Sequence, residues 1–207
     1  MKPSFNDDIT EYRIKLPFDQ NINLDDNNHD SIRSGTDKKY FSQSMRVNHA
    51  GEYGACCIYL GQIHGSYNTH KEILSEMLCQ EKKHLKYFEE SLRINHIKPT
   101  ILNFVWGKLG YAIGFISAKV DIKIAMLTTD AVETIIEKHY QDQSYMLKKY
   151  GYTVTSDVVS QFAKEEAGHK TDAHKYYEFK NLDIFERVYF NMVKLGCKIA
   201  IILSKRI

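Results

Sequence analysis

Cysteine is scarce in this sequence, and so are proline and tryptophan. Its 207 residues include four cysteines, three prolines and one tryptophan, and no two cysteines form a Cys-x-x-Cys pair. Nothing resembles a secretory signal, so the sequence indicates a reduced compartment rather than a disulfide framework. We expect the four cysteines to be small buried residues.

A large net charge is also missing. Twenty-eight Lys and Arg oppose 26 Asp and Glu, which leaves a formal charge of +2 and no strong global field. This balance indicates no nucleic-acid partner. Residues 1–38 are polar, rich in Asn and Asp and poor in apolar periodicity, and their acidic residues are not typical of a transit peptide. We expect them to form a largely disordered or loosely docked arm, and residues 39–207 to form one domain.

Long apolar runs are limited to one segment and part of another. Residues 101–120 are almost wholly apolar, with Lys108 and Lys119 as their only charges, and they nearly match the thickness of a bilayer. Because Lys108 and three glycines interrupt the run, the pattern favours a helix at the membrane interface, the alternative being a buried crossover helix. Residues 193–203 mix apolar and basic side chains, which suits either an anionic lipid surface or a helix that closes a bundle.

What the sequence does have is a repeated arrangement of carboxylates and imidazoles. A glutamate precedes a histidine by three residues twice, and an isolated glutamate lies 29 residues before one motif and 33 before the other. On an α-helix the Glu-x-x-His spacing places both side chains on one face. Two antiparallel helix pairs would bring the ligands together at mid-height. The candidate metal ligands are Glu52, Glu81, His84, Glu133, Glu166 and His169.

The neighbours of these residues indicate that the candidate ligands are buried. Glu81 and His84, for example, share their helical face with Leu74, Met77 and Phe88. Buried carboxylates without a counter-charge are unfavourable, so four that converge inside a bundle require cations, and four glutamates balance two divalent ions. Carboxylate and imidazole ligands suit Fe(II) or Mn(II). The alternative is two solvated helix faces that carry acids and histidines by coincidence.

Several segments resemble one family in particular, the demethoxyubiquinone hydroxylases, which are di-iron monooxygenases of ubiquinone biosynthesis. The resemblance covers about residues 40–207 and rests on RVNHAGEYGA at 46–55, QEKKH at 80–84, KPT at 98–100, EEAGH at 165–169 and GCKIAIILS at 196–204. It implies an all-α fold, a ferritin-like four-helix bundle with two accessory membrane-associated helices. The six residues given above match the family's iron ligands. His139 and Tyr140 match a pair that assists proton or electron delivery, the alternative being an ordinary helix pair, and Asn48 stands where many members have Asp.

The resemblance also implies an activity. We expect O2-dependent hydroxylation of the ring of a 2-polyprenyl-3-methyl-6-methoxy-1,4-benzoquinol (demethoxyubiquinol) by a centre of two Fe ions per chain. NADH or the quinol itself would supply electrons. The enzyme would lie peripherally on the cytoplasmic face of a bacterial inner membrane, or on the matrix face in mitochondria, where an oligomer and other ubiquinone-biosynthesis proteins are the expected partners. Two rival hypotheses are a ferritin-type iron-storage protein and a metal-free adaptor at the membrane interface.

Overall fold

A computed structural model describes residues 29–31 and 37–206 of the chain, and it is built from helices. Within these ranges there is no β-strand. Two short 3-10 turns, Asn68–His70 and Phe179–Asn181, accompany six α-helices. These helices are α1 Asp37–Gly65, α2 Lys71–Ile94, α3 Asn103–Val120, α4 Ile122–Lys149, α5 Thr153–Ala173 and α6 Ile184–Ser204. The predicted all-α class is confirmed.

Helices α1, α2, α4 and α5 form a four-helix bundle with two core clusters. The first cluster includes Tyr59, Leu74, Met126 and Ala173, and the second includes Phe41, Phe88, Leu147 and Val159. Along α1 and α5 the chain runs from the second cluster to the first, and along α2 and α4 it runs the opposite way. The candidate ligands of each helix lie between the two clusters, at mid-height, as predicted.

The ends of the helices differ from the sequence prediction. The sequence Thr69-His70-Lys71-Glu72 matches a capping box, but α2 begins at Lys71 after His70, which makes no side-chain cap. Ser156 is the residue type expected to cap the next bundle helix, yet α5 begins at Thr153. Asn181 is the cap that the sequence suggests for the last helix, but it lies in a 3-10 turn, and Asp183 caps α6 through a reciprocal pair of hydrogen bonds with Glu186.

Helix α3 lies directly against α1, and glycines make this close approach possible. A Cβ atom on Gly114 would lie 2.1 Å from the carbonyl oxygen of Ile58, and one on Gly61 would lie 2.3 Å from that of Tyr111. Gly110 likewise meets the carbonyl oxygen of Gly54. The three α3 glycines therefore face the bundle, whereas Leu109, Ile116 and Val120 on the same helix are exposed. A wholly buried crossover helix, the alternative reading of this segment, is thus not what forms.

Helices α3 and α6 lie side by side and run in opposite directions. The Trp106 indole near the start of α3 donates to Ser204 Oγ at the end of α6 over 3.0 Å. Tyr189 near the start of α6 is hydrogen bonded to Thr128 near the start of α4, the helix that directly follows α3. Together α3 and α6 expose a set of large apolar side chains that we call the α3–α6 apolar face. The face comprises Phe104, Val105, Leu109, Ile116, Val120, Ile184, Phe185, Val188, Met192, Leu195, Ile199 and Ile202. None of the described helices has the length and apolar character needed to span a bilayer.

The predicted N-terminal arm, residues 1–38, lies mostly outside the described residues. Of the part that is described, Asp30 accepts a hydrogen bond from the backbone N–H of Thr155 over 2.7 Å. Asn95 donates to the Asp30 carbonyl. Helix α1 already begins at Asp37, two residues before the predicted domain boundary.

Candidate metal centre

The six candidate ligands come from all four bundle helices and are buried. Helix α1 supplies one glutamate and α4 another, while α2 and α5 each supply a Glu-x-x-His pair from one turn. Each of the six side chains belongs to a residue that is at most 2% exposed. The predicted spacing therefore does bring the residues together at the middle of the bundle. They are Glu52, Glu81, His84, Glu133, Glu166 and His169.

The six residues form two overlapping groups, each with the geometry of a metal site. In each group every member offers one ligand atom, and these atoms lie within 4.8 Å of one another. Glu81 and Glu166 belong to both groups. Glu52 and His84 complete one group, and Glu133 and His169 complete the other.

The two Glu-x-x-His motifs interlock across the bundle. His84 Nδ1 lies 3.1 Å from an oxygen of Glu166, which belongs to the other motif. His169 Nδ1 lies 3.1 Å from Glu81 and 3.2 Å from Glu166. Both imidazoles thus turn the same ring nitrogen toward the shared carboxylates.

Several of the inward-facing atoms have no hydrogen-bond partner among the described residues. They include both oxygens of Glu166, one of Glu81, and the Nδ1 atoms of both histidines. Buried lone-pair atoms without partners are rare in folded proteins because each costs desolvation free energy. A cation would satisfy all of them. The donors are oxygen and nitrogen without thiolate, so the residues fit divalent iron or manganese.

Ionisation within the cluster shows the same need for positive charge. Burial, followed by the charge of Glu166, raises the pKa of Glu81 and of Glu133 well above the usual range. Burial opposes ionisation of Glu166 too, but the adjacent imidazoles of His169 and His84 outweigh it and lower its pKa to about 2. Burial by itself would lower the pKa of His169, yet the carboxylates raise it to about 11. In the metal-free protein, protons therefore provide the positive charge that cations would otherwise supply.

Two tyrosines connect the halves of the cluster crosswise. Tyr59 on α1 donates to Glu133 on α4 over 2.8 Å, and Tyr140 on α4 donates to Glu52 on α1. Burial, then the neighbouring carboxylate, raises the pKa of both hydroxyls, so both remain donors. Sequence reasoning singled out Tyr140 but missed Tyr59. The repeat Glu-x6-Tyr, which occurs at 52–59 and again at 133–140, is the signal that could have found it.

The other ring nitrogen of each ligand histidine contacts a residue just outside the cluster. His84 Nε2 lies 2.7 Å from a carboxylate oxygen of Glu165, and His169 Nε2 lies 3.0 Å from the amide oxygen of Gln80. Glu165 and Gln80 occupy equivalent places, since each immediately precedes the glutamate of its own motif. The two halves therefore match in geometry but differ in charge.

His139 does not join the cluster. Its Nε2 accepts a hydrogen bond from Gln143 over 3.2 Å, and Gln143 is in turn paired with Asn48 through two amide hydrogen bonds. Burial, and then Lys205, lowers the pKa of His139 to about 4, so the imidazole is neutral at pH 7. The ring centroids of His139 and Tyr140 are 6.0 Å apart. The structure thus brings Tyr140 to the cluster and leaves His139 behind it.

Comparison with known proteins relates this centre to one family. Residues 39–204 match the family described as "Ubiquinone biosynthesis protein COQ7". Relatives include the mitochondrial NADPH-dependent 3-demethoxyubiquinone 3-hydroxylase of Dictyostelium discoideum, 32% identical over 96% of this chain and 93% of that protein. The enzyme of the same name from Rattus norvegicus is 35% identical over 79% of this chain and 76% of its own. The 3-demethoxyubiquinol 3-hydroxylase of Rhodospirillum rubrum is 33% identical over the same shares. The chain belongs to the COQ7 family of ubiquinone biosynthesis proteins.

Proposed function

We propose that this protein is a 3-demethoxyubiquinol 3-hydroxylase, an O2-dependent monooxygenase that adds a hydroxyl group to the ring of a polyprenyl demethoxyubiquinol. The observation that carries the proposal is the buried cluster of four carboxylates and two imidazoles at mid-bundle. The relatives named as 3-demethoxyubiquinol 3-hydroxylases support the substrate. One oxygen atom of O2 enters the ring, and the other leaves as water with two electrons from a reductant.

The cluster divides into ligands for two iron ions. Glu52 and His84 would hold one ion and Glu133 and His169 the other, and Glu81 and Glu166, which belong to both groups, would contribute to both sites. Four negative charges balance two divalent cations, which removes the electrostatic strain of the metal-free cluster. Bound iron supplies the activation of O2 and its transfer to the ring. The protein contributes ligation, orientation and a dry surrounding core.

We assign supporting roles to two residues outside the ligand set, Tyr140 and His139. Tyr140 keeps its hydroxyl proton directed at Glu52, and we assign it to hold that carboxylate in its ligand orientation. His139 is neutral and hydrogen bonded to Gln143, and because its pKa of about 4 makes it a weak base, we propose that it passes a proton on without retaining it. The resemblance treats His139 and Tyr140 as one pair, and we propose a separate role for each of the two residues.

The α3–α6 apolar face is proposed as the membrane-binding surface. A polyprenyl tail is insoluble in water, so the enzyme must take its substrate from a bilayer. The face joins exposed apolar side chains with basic ones, including Lys108, Lys119 and Lys198, a combination suited to anionic lipid. Peripheral association with a bacterial inner membrane, or with its mitochondrial equivalent, follows from this assignment.

The electron source is proposed to be a reduced nicotinamide. Several relatives are named as NADPH-dependent enzymes, whereas the sequence itself points no further than NADH or the quinol. The chain has no Rossmann-type glycine motif. We therefore propose that the nicotinamide delivers its electrons without a dedicated dinucleotide-binding fold in this chain. NADPH and NADH should be compared directly as reductants.

The test is a single-turnover reaction. Anaerobically iron-loaded protein is mixed with a short-tailed demethoxyubiquinol and NADPH or NADH, O2 is admitted, and the product is weighed by mass spectrometry. We expect a product heavier by one oxygen from the native chain and from the surface control Glu72→Ala, and none from Glu166→Ala. Circular dichroism shows whether each variant is folded. Oxidation of the iron with the quinol unchanged would overturn the proposal and favour iron storage.

A further inference from the structure

The two ligand histidines differ in the group that accepts their outward proton. For His84 the acceptor is the Glu165 carboxylate, and for His169 it is the neutral side-chain amide of Gln80. The two positions correspond in sequence and in the nitrogen that they contact. Each acceptor precedes the glutamate of its own motif and reaches the histidine of the opposite motif, so the difference in charge stands out against a matched background.

The geometry indicates which nitrogen would carry the proton once an ion is bound. Nδ1 of each histidine lies 3.1 Å from a shared carboxylate, on the side where an ion would bind, so Nδ1 would be the ligand atom. Nε2 would then keep the hydrogen and donate it outward to Glu165 or Gln80. Because the Nδ1 ligand and the Nε2 donor belong to one conjugated ring, the outward acceptor changes the basicity of the inward nitrogen.

We propose that the two metal positions are inequivalent because Glu165 strengthens His84 as a ligand more than Gln80 strengthens His169. An ionised acceptor draws the Nε2 proton more strongly than an amide oxygen does, and this makes Nδ1 more electron-rich. The ion held by His84 and Glu52 therefore binds first and more tightly. This inference rests on the proposed function, since it takes the six residues as ligands for two ions, and it makes Glu165 and Gln80 positioning residues.

The surroundings of Glu165 support this role and set its size. Its other oxygen accepts a hydrogen bond from Gln161 over 2.9 Å, which keeps the carboxylate oriented toward His84. The Glu165 side chain is 35% exposed, so solvent screens part of its charge. Partners of this kind change metal affinity by 10- to 100-fold, and partial exposure places the expected effect at about tenfold.

The reciprocal positions allow a charge swap with internal controls. Glu165→Gln should weaken the tighter Mn(II) site about tenfold and leave the weaker one unchanged. Gln80→Glu should strengthen the weaker site about tenfold and leave the tighter one unchanged. Both single variants therefore bring the two dissociation constants together. The double variant has the net charge of the native chain and should separate them again, with the order of the sites reversed.

The measurement is a Mn(II) titration in which electron paramagnetic resonance counts the free ion, with the thermal unfolding temperature of each metal-free variant as a folding check. Glu165→Gln with unchanged constants, or Gln80→Glu that weakens binding, would overturn the inference. A double variant that binds with two equal constants would also overturn it. If the native chain and all variants bind fewer than two Mn(II) ions, the proposed two-metal centre itself is wrong. That outcome does not depend on Glu165 or Gln80, so it is distinguishable from a failure of this inference.

Discussion

The contact between α1 and α3 gives a quantitative prediction for Gly114→Ala. The added Cβ would lie 2.1 Å from the carbonyl oxygen of Ile58 and 2.9 Å from its carbon. An ordinary carbon–oxygen contact is about 3.3 Å, so the two helix backbones must separate by about 1 Å. Both atoms on the α1 side are backbone, so no side chain can move aside. Overpacking of this kind costs about 3 kcal/mol, and the better helix propensity of Ala offsets about 1 kcal/mol.

The expected net loss is therefore about 2 kcal/mol, or roughly 4 to 8 °C in Tm for a domain of this size. Thermal and urea unfolding, both followed by circular dichroism, measure it. Gly54→Ala and Gly196→Ala are matched controls, because a Cβ at either helical position meets nothing within 4 Å. These controls should gain up to about 1 kcal/mol. A Gly114→Ala variant as stable as the controls would refute the close backbone packing of α3 on α1.

Three further predictions concern the cluster and the surface. In the metal-free protein both ligand imidazoles have a raised pKa. The free energy of unfolding should therefore fall above pH 6.5, by about 1.4 kcal/mol per pH unit for each imidazole, and Mn(II) should restore it. Equal urea stability at pH 6.5 and at pH 8 would contradict this. Tyr59→Phe should weaken Mn(II) binding about tenfold, because Glu133 loses its hydrogen-bond donor. The control Tyr145→Phe, at an exposed position, should leave the affinity unchanged. If both variants bind Mn(II) equally well in a free-ion titration, the tyrosine contacts between α1 and α4 do not support the metal site. The double variant Phe104→Asp, Phe185→Asp should no longer float with anionic vesicles. The control Tyr67→Ser should still float, because Tyr67 is exposed outside the α3–α6 apolar face. Flotation of the double variant would exclude that face as the membrane-binding surface.

The sequence predicted the cluster better than the helix ends, for a physical reason. Spacing along a helix fixes which side chains share a face, so Glu81 and His84, or Glu166 and His169, could be paired without any tertiary information. A helix end depends on where neighbouring elements bend the chain. Ser156 looks like a cap in sequence, yet its hydroxyl donates to the Ser144 carbonyl on α4 over 2.8 Å from within α5. Tertiary packing decided its role.

The contacts between halves of the molecule were likewise beyond reach of the sequence. The glycines of α3 were read as weak points in an apolar helix, whereas they are the surface on which it packs. The Glu-x6-Tyr repeat marks Tyr59 in the sequence, but its hydrogen bond to Glu133, 74 residues away, exists only because α1 and α4 become neighbours. The sequence shows only that Asn48 stands where many family members have Asp, and not that its amide forms a buried pair with Gln143. Each of these depends on which helices become neighbours, and spacing within one helix does not contain that information.

A crystal of the iron-loaded protein, grown without oxygen and measured on both sides of the iron absorption edge, tests the metal centre directly. We expect two anomalous peaks per chain, about 4 Å apart, between Glu81 and Glu166. One peak should adjoin His84 and the other His169. A map with no peak at the middle of the bundle, or with iron bound only at the protein surface, would contradict the metal centre and the activity proposed from it.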